Sequence, residues 1–228
     1  MKKLIPILII ALLFMSETSQ AQDWANLNRY QQENNILLTS NSNEDRVVFM
    51  GNSIVEAWSD HHPEFFKENP YINRGISGQT TPQMLIRFRQ DVIDLKPKVV
   101  VILAGTNDIA ENTGPSTLKM IINNIISMAE IAKANNIKVI LSSVLPAFDY
   151  PWRTGLKPDE KIPAFNKLLK EYANQNEIIY LDYFTPMVDI ENGFKEAYTY
   201  DGVHPNKKGY LAMEPLVKAA IKKALNQR

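Results

Sequence analysis

The sequence contains no cysteine. That single absence excludes disulfides, thiolate metal ligands, a cysteine nucleophile and lipid attachment at a cysteine. An excess of one charge sign is missing too: 25 Lys and Arg balance 25 Asp and Glu, with no long polybasic run. The chain therefore offers no electrostatic footprint for nucleic acid and no patch for anionic lipid. Histidine is scarce, with His61, His62 and His204 the three present. Neither Gly-x-Ser-x-Gly nor Gly-x-Gly-x-x-Gly occurs, so the usual nucleophile elbow and the dinucleotide fingerprint are both absent. His61 and His62 are adjacent rather than four apart, which argues against a zinc hydrolase and reads as a pair of surface loop residues.

Long hydrophobic runs are also lacking, apart from Leu4 to Met15. That stretch is shorter than the roughly 20 residues a membrane span needs. Lys2 and Lys3 precede it, and Ser19-Gln-Ala21 follows with small residues at −3 and −1. The pattern predicts a signal peptide over residues 1–21, cleaved after Ala21, with an uncleaved anchor as the alternative. Residues 22–228 then form a single domain, with 23 basic and 24 acidic side chains. Roughly 200 residues bury an adequate core without disulfides. The expected location is secreted or periplasmic, with no integral membrane segment after cleavage.

No repeat, low-complexity block or linker divides residues 22–228. Strand-like and helix-like stretches alternate instead. Arg46 to Met50, Tyr71 to Asn73, Val99 to Leu103, Lys138 to Leu141 and Ile178 to Leu181 read as strands. The continuous apolar run at 99–103 is that of a strand covered on both faces. Leu118, Ile121, Ile122, Ile125, Ile126 and Ala129 make an amphipathic helical stripe. Met84, Leu85, Phe88 and Val92 make another, with Pro82 in its first turn after Thr81. Ile162 to Tyr172 predicts a third helix, and Leu216 to Ile221 a last one that Pro215 kinks or begins. Such alternation predicts an α/β fold, a mostly parallel sheet with helices on both faces. Ligands of such sheets bind beyond the carboxyl ends of the strands.

Four polar motifs follow those strand ends. In Gly51-Asn-Ser-Ile54, Ser53 precedes a short helical stretch, Val55 to Trp58, whose free N–H groups would face developing negative charge; a plain serine N-cap would look the same. In Asn73-Arg-Gly-Ile-Ser-Gly-Gln-Thr-Thr81, Gly78 can bring a bare N–H close to a ligand, or simply make a turn. Ser77 is a competing nucleophile there, with nothing beside it that looks like a base. In Gly105-Thr-Asn-Asp108, the Asn107 amide can donate to an oxyanion without a proton changing hands. In Asp201-Gly-Val-His204-Pro205, a carboxylate three residues before a histidine can orient one ring nitrogen and leave the other for a serine.

In this order, the four motifs resemble the blocks of the SGNH, or GDSL-type, hydrolase superfamily, over about residues 46 to 221. The resemblance implies a three-layer α/β/α flavodoxin-like domain. It also implies Ser53 as nucleophile, His204 as base and Asp201 as its orienting carboxylate. Should Asp201→Asn leave the rate and its pH profile unchanged, Asp182 or another carboxylate takes that place. Ser53 N–H, Gly78 N–H and the Asn107 side chain become the oxyanion hole. One departure stands out: Asn52 occupies the place where the family usually carries Asp. The resemblance is to the compact subgroup that includes platelet-activating-factor acetylhydrolase-like and carbohydrate-deacetylating members. It implies removal of a short acyl group, acetyl first among them, from a glycan or small glycoside. Lysophospholipase or thioesterase activity, or a catalytically weak carbohydrate-binding protein, are the alternatives. Trp152 and Arg153, in the segment after the fourth strand, are candidate substrate contacts, Trp152 by stacking on a sugar.

No metal-ligand cluster and no organic cofactor site is apparent in the sequence. Ester hydrolysis is therefore expected to survive EDTA. Loss of activity on chelation, with recovery on adding zinc, would contradict a serine mechanism.

Overall fold

The computed structural model describes residues 23–39 and 45–227; the expected signal peptide lies outside them. Five strands, β1 (Val47–Gly51), β2 (Tyr71–Gly75), β3 (Val99–Leu103), β4 (Lys138–Ser142) and β5 (Ile179–Leu181), form one parallel sheet in the order β2-β1-β3-β4-β5. This is the doubly wound flavodoxin order, whose switch point lies between β1 and β3.

Side chains alternating along the strands enter two separate cores. Val48, Met50, Val100, Ile102, Val139 and Leu141 face one way. They pack against α5 (Thr81–Phe88), α7 (Leu118–Ala134) and α8 (Pro158–Gln175). Val47, Phe49, Val99, Val101, Leu103 and Ile140 face the other way. They pack against α10 (Lys207–Asn226) and the short helices α2 (Ser53–Glu56), α3 (Trp58–His61) and α4 (Glu64–Lys67). Three layers result, as the alternation predicted. Further elements are α1 (Gln31–Thr39), α6 (Thr106–Ile109), α9 (Phe184–Met187) and a π turn over Arg89–Ile93 that ends α5.

Several boundaries differ from the sequence reading. The single helix expected over 55–58 is two short helices. Ser53 begins the first of them, and Asn52, not Ser53, is the N-cap, its Oδ1 accepting from Ile54 N–H at 3.0 Å. Thr80 rather than Thr81 caps α5, in a capping box with Gln83. The last helix begins at Lys207, so Pro215 lies inside it rather than at its start. Pro215 sits on the exposed face, where water satisfies the carbonyl that loses its partner. His61 and His62 end α3 and are half-buried, not surface loop residues. His61 stacks between Tyr200 and Tyr210, and His62 Nδ1 lies 3.0 Å from Glu214 Oε1.

α2 is pressed against the ends of β1 and β2. A Cβ built on Gly75 would stand 2.1 Å from Glu56 N and 2.7 Å from Asn52 O, so backbone meets backbone with no room for a side chain. From the other side, Tyr210 Oη donates to Ile54 O at 2.9 Å. Gly75→Ala is expected to cost about 1–3 kcal/mol or more by overpacking. That lowers the Tm by several degrees in a domain of this size and reduces ester turnover with it. An unchanged melting curve would contradict this seating of α2.

Candidate active site

The four motifs converge at the carboxyl end of the sheet. Ser53 follows β1, Gly78 follows β2, Asn107 follows β3, and Asp201 and His204 lie in the loop before α10. The first and third flank the switch point between β1 and β3, where such sheets leave a crevice.

Ser53 Oγ lies 2.9 Å from His204 Nε2, and His204 Nδ1 lies 2.7 Å from Asp201 Oδ2. Asp201 Oδ1 also accepts from the backbone N–H of Val203 at 2.9 Å and of His204 at 2.7 Å. Gly202, in the left-handed region, closes this tight loop. Burial works against ionisation of Asp201, but the His204 backbone and ring donors and the Val203 N–H outweigh it. They hold the carboxyl below the usual carboxylate range. An ionised carboxylate only accepts, so Nδ1 carries the ring proton and the Nε2 lone pair faces the Ser53 hydroxyl. That is the arrangement in which a histidine removes a proton from a serine. Asp182, the fallback carboxylate, is instead bonded to Thr185 N–H and Oγ1.

The donors opposite are set by the backbone. Ser53 and Gly78 N–H have no partner among the described residues. Gly78 has φ +76°, a conformation costly for any side chain, and the space where a Cβ would point is open. The buried Asn107 gives one Nδ2 hydrogen to Gln79 O at 3.0 Å, leaving the second. Behind β1, the buried Arg87 donates to Gly51 O at 2.9 Å, to Asp91 at 2.9 Å and to Gln79 Oε1 at 2.5 Å. Asn34 of α1 reaches the same Asp91 at 2.7 Å, and Gln79 Nε2 reaches Ala25 O at 2.7 Å. Asn52 is fully buried, and its Nδ2 has no partner among the described residues.

A model of the GDSL-like lipase/acylhydrolase family matches residues 39–212. The chain belongs to that family. The acylhydrolase shares 53% identity and a TM-score of 0.85 with a crystal structure of a GDSL-like lipase from Bacteroides thetaiotaomicron, covering 88% of this chain and 98% of that one. It is 29% identical over 175 residues to a platelet-activating factor acetylhydrolase subunit, IB alpha2, of Rattus norvegicus, covering 72% of this chain and 67% of the relative. It is 30% identical over 176 residues to an acetylxylan esterase of Xylanibacter ruminicola, covering 66% of this chain. The chain spans 35% of that esterase and 33% of the lipoprotein YqeF of Bacillus subtilis, about a third of each. The acylhydrolase is a carboxylic ester hydrolase with the α/β fold of its family.

Around His204 the acylhydrolase carries aromatic neighbours of which the sequence reading anticipated one. Tyr200 stacks on the imidazole at 5.8 Å between centroids and 12° between planes; its only signal is its place before Asp201. Trp152, 45% exposed, lies on the same ring at 6.1 Å and 37°. Arg153 is committed to Glu111, donating to its backbone oxygen at 2.7 Å and its carboxylate at 2.9 Å. Ser77, the competing serine, has its hydroxyl and N–H on Glu56 and no histidine.

Asp108, the last residue of the Gly105–Asp108 motif, is buried. Its carboxylate receives Thr81 N–H at 3.0 Å and Thr81 Oγ1 at 2.5 Å, which ties α6 to α5. Burial nonetheless raises its pKa to about 6, against those hydrogen bonds. The folded state thus binds a proton that the unfolded chain releases near 3.8. Stability from this group is greatest at low pH and falls as pH rises from about 4 through about 6. Compared with Asp108→Asn, which cannot titrate, the wild-type protein is expected to gain on the order of 1–3 kcal/mol as pH falls from 7 to 4. Denaturant unfolding of both proteins at each pH measures this; a constant difference would refute it.

Proposed function

We propose that the protein is a serine esterase that removes short acyl groups, acetyl above all, from a glycan or small glycoside. The observation that carries the reading is the Ser53–His204–Asp201 relay, with hydrogen-bond distances of 2.9 and 2.7 Å. Ser53 Oγ attacks the ester carbonyl as His204 Nε2 takes its proton. The carbonyl oxygen becomes an oxyanion against Ser53 N–H, Gly78 N–H and Asn107 Nδ2. His204 then protonates the leaving alcohol, and an acyl-serine remains. Water repeats the steps and frees the acid. Asp201 stays ionised throughout and stabilises the imidazolium formed in each half. Asn52 keeps the capping role of an acceptor without a charge beside Ser53.

Short acyl specificity is supported by the relatives whose names specify acetyl groups, the acetylhydrolase subunit and the acetylxylan esterase. A sugar as the leaving alcohol is supported by the half-exposed Trp152 ring, 6.1 Å from the His204 ring, on which a sugar face could stack. Export by a leader over residues 1–21 belongs to the same reading. Among the described residues, no helix is long and apolar enough to cross a membrane.

Ser53→Ala and His204→Ala are each expected to cut turnover of p-nitrophenyl acetate by about 10⁴-fold or more while leaving the melting temperature near wild type. Across p-nitrophenyl esters, kcat/KM should peak at C2. Folded variants with near-wild-type activity would sink the mechanism. A maximum at C8 or longer would assign the protein to lysophospholipids or thioesters instead.

A further inference from the structure

Asn112 lies in the loop after α6 and belongs to none of the four motifs, yet it touches three parts of the site. Its backbone N–H donates to Asn107 O at 2.9 Å. Its side-chain Nδ2 approaches Gly78 O at 3.4 Å, a long hydrogen bond. Its Oδ1 accepts from Trp152 Nε1 at 3.1 Å. The two side-chain partners fix the amide orientation, since an indole N–H only donates and a carbonyl only accepts. Both remaining oxyanion donors, Gly78 and Asn107, are thus tied to the residue that holds Trp152 against His204.

From this geometry we infer that Asn112 is a positioning residue that couples the Trp152 wall to the oxyanion loop. Gly78 is held from both ends: Glu56 accepts from Ser77 N–H at 2.8 Å on one side, and Asn112 Nδ2 donates to Gly78 O on the other. A left-handed glycine has a soft backbone, so its N–H points at the oxyanion only while its neighbours are pinned. Arg153 on Glu111 docks the same two loops one residue away. That leaves Asn112 the adjustable contact. An alcohol seated against Trp152 is therefore in contact, through Asn112, with the residue that holds Gly78. An acidic or aliphatic side chain at 112 satisfies one partner at most.

The inference rests on the proposed esterase mechanism, and the test separates the two. Asn112 is solvent-exposed, so its variants are expected to fold with melting curves like the wild type's. With p-nitrophenyl acetate, Asn112→Asp keeps an acceptor for Trp152 but sets an oxygen against Gly78 O. It should lower kcat about tenfold, less than deletion of an oxyanion donor costs, with KM near wild type. Asn112→Ala frees both partners and should lower kcat similarly while raising KM for an acetylated oligosaccharide several-fold. Trp152→Phe, which removes the indole donor, should raise the oligosaccharide KM and lower its kcat, while Asn112 stays on Gly78 O and p-nitrophenyl acetate turnover stays near wild type. In the Asn112→Ala/Trp152→Phe double variant, that KM effect should be no larger than in Asn112→Ala. Wild-type kcat in Asn112→Asp, or additive KM effects in the double variant, overturns the coupling. Full activity in Ser53→Ala would instead overturn the mechanism beneath it.

Discussion

The contact between α2 and the end of β2 sets where everything else in the site must lie. Gly75 lets the backbone of Glu56 approach closer than any side chain would permit. That fixes the height of Ser53 above the sheet. Asn52 then closes the turn by capping the helix, and Tyr210 clamps the far side through Ile54 O. Distances of 2.9 and 2.7 Å in the relay are attainable only because this short helix has one place to sit. The geometry of the Ser53–His204–Asp201 relay is therefore a by-product of backbone packing, and the polar side chains refine it.

A second support lies underneath, where Arg87 is wholly buried. Its guanidinium joins the end of β1 to Asp91 and Gln79, and these reach Asn34 and Ala25 of the first described segment. A buried cation is tolerable only when its donors are met, and here each nitrogen has an acceptor. Breaking the set by removing one member leaves a charge in the core. The polar cluster thus ties the N-terminal segment to the strand that carries Ser53.

Much of this was legible in the sequence, for definable reasons. The apolar runs at 99–103 and 139–141 are continuous because both faces are covered, and the stripe from Leu118 is amphipathic because one face is. Three of the site motifs stood out because each follows a strand end, and parallel topology brings those ends together; Asp201 and His204 stood out by their spacing, in the loop before α10. α1 was missed because its buried residue is Asn34, a polar member of the Arg87 cluster, rather than an apolar stripe. His61 and His62 were misread because their partners, Tyr200, Tyr210 and Glu214, are more than a hundred positions away. Trp152 was singled out, but its tether to Asn112 links two loops that no local pattern connects.

The relay also has a direction in time. Ser53 and His204 are 151 positions apart, with the serine near the start and the histidine close to the last helix. A ribosome adding about 5–20 residues per second needs on the order of ten seconds to pass from one to the other. Throughout that interval the emerging polypeptide carries a serine hydroxyl with no base beside it. The contact between the two side chains exists only where the loop before α10 lies over the end of β1.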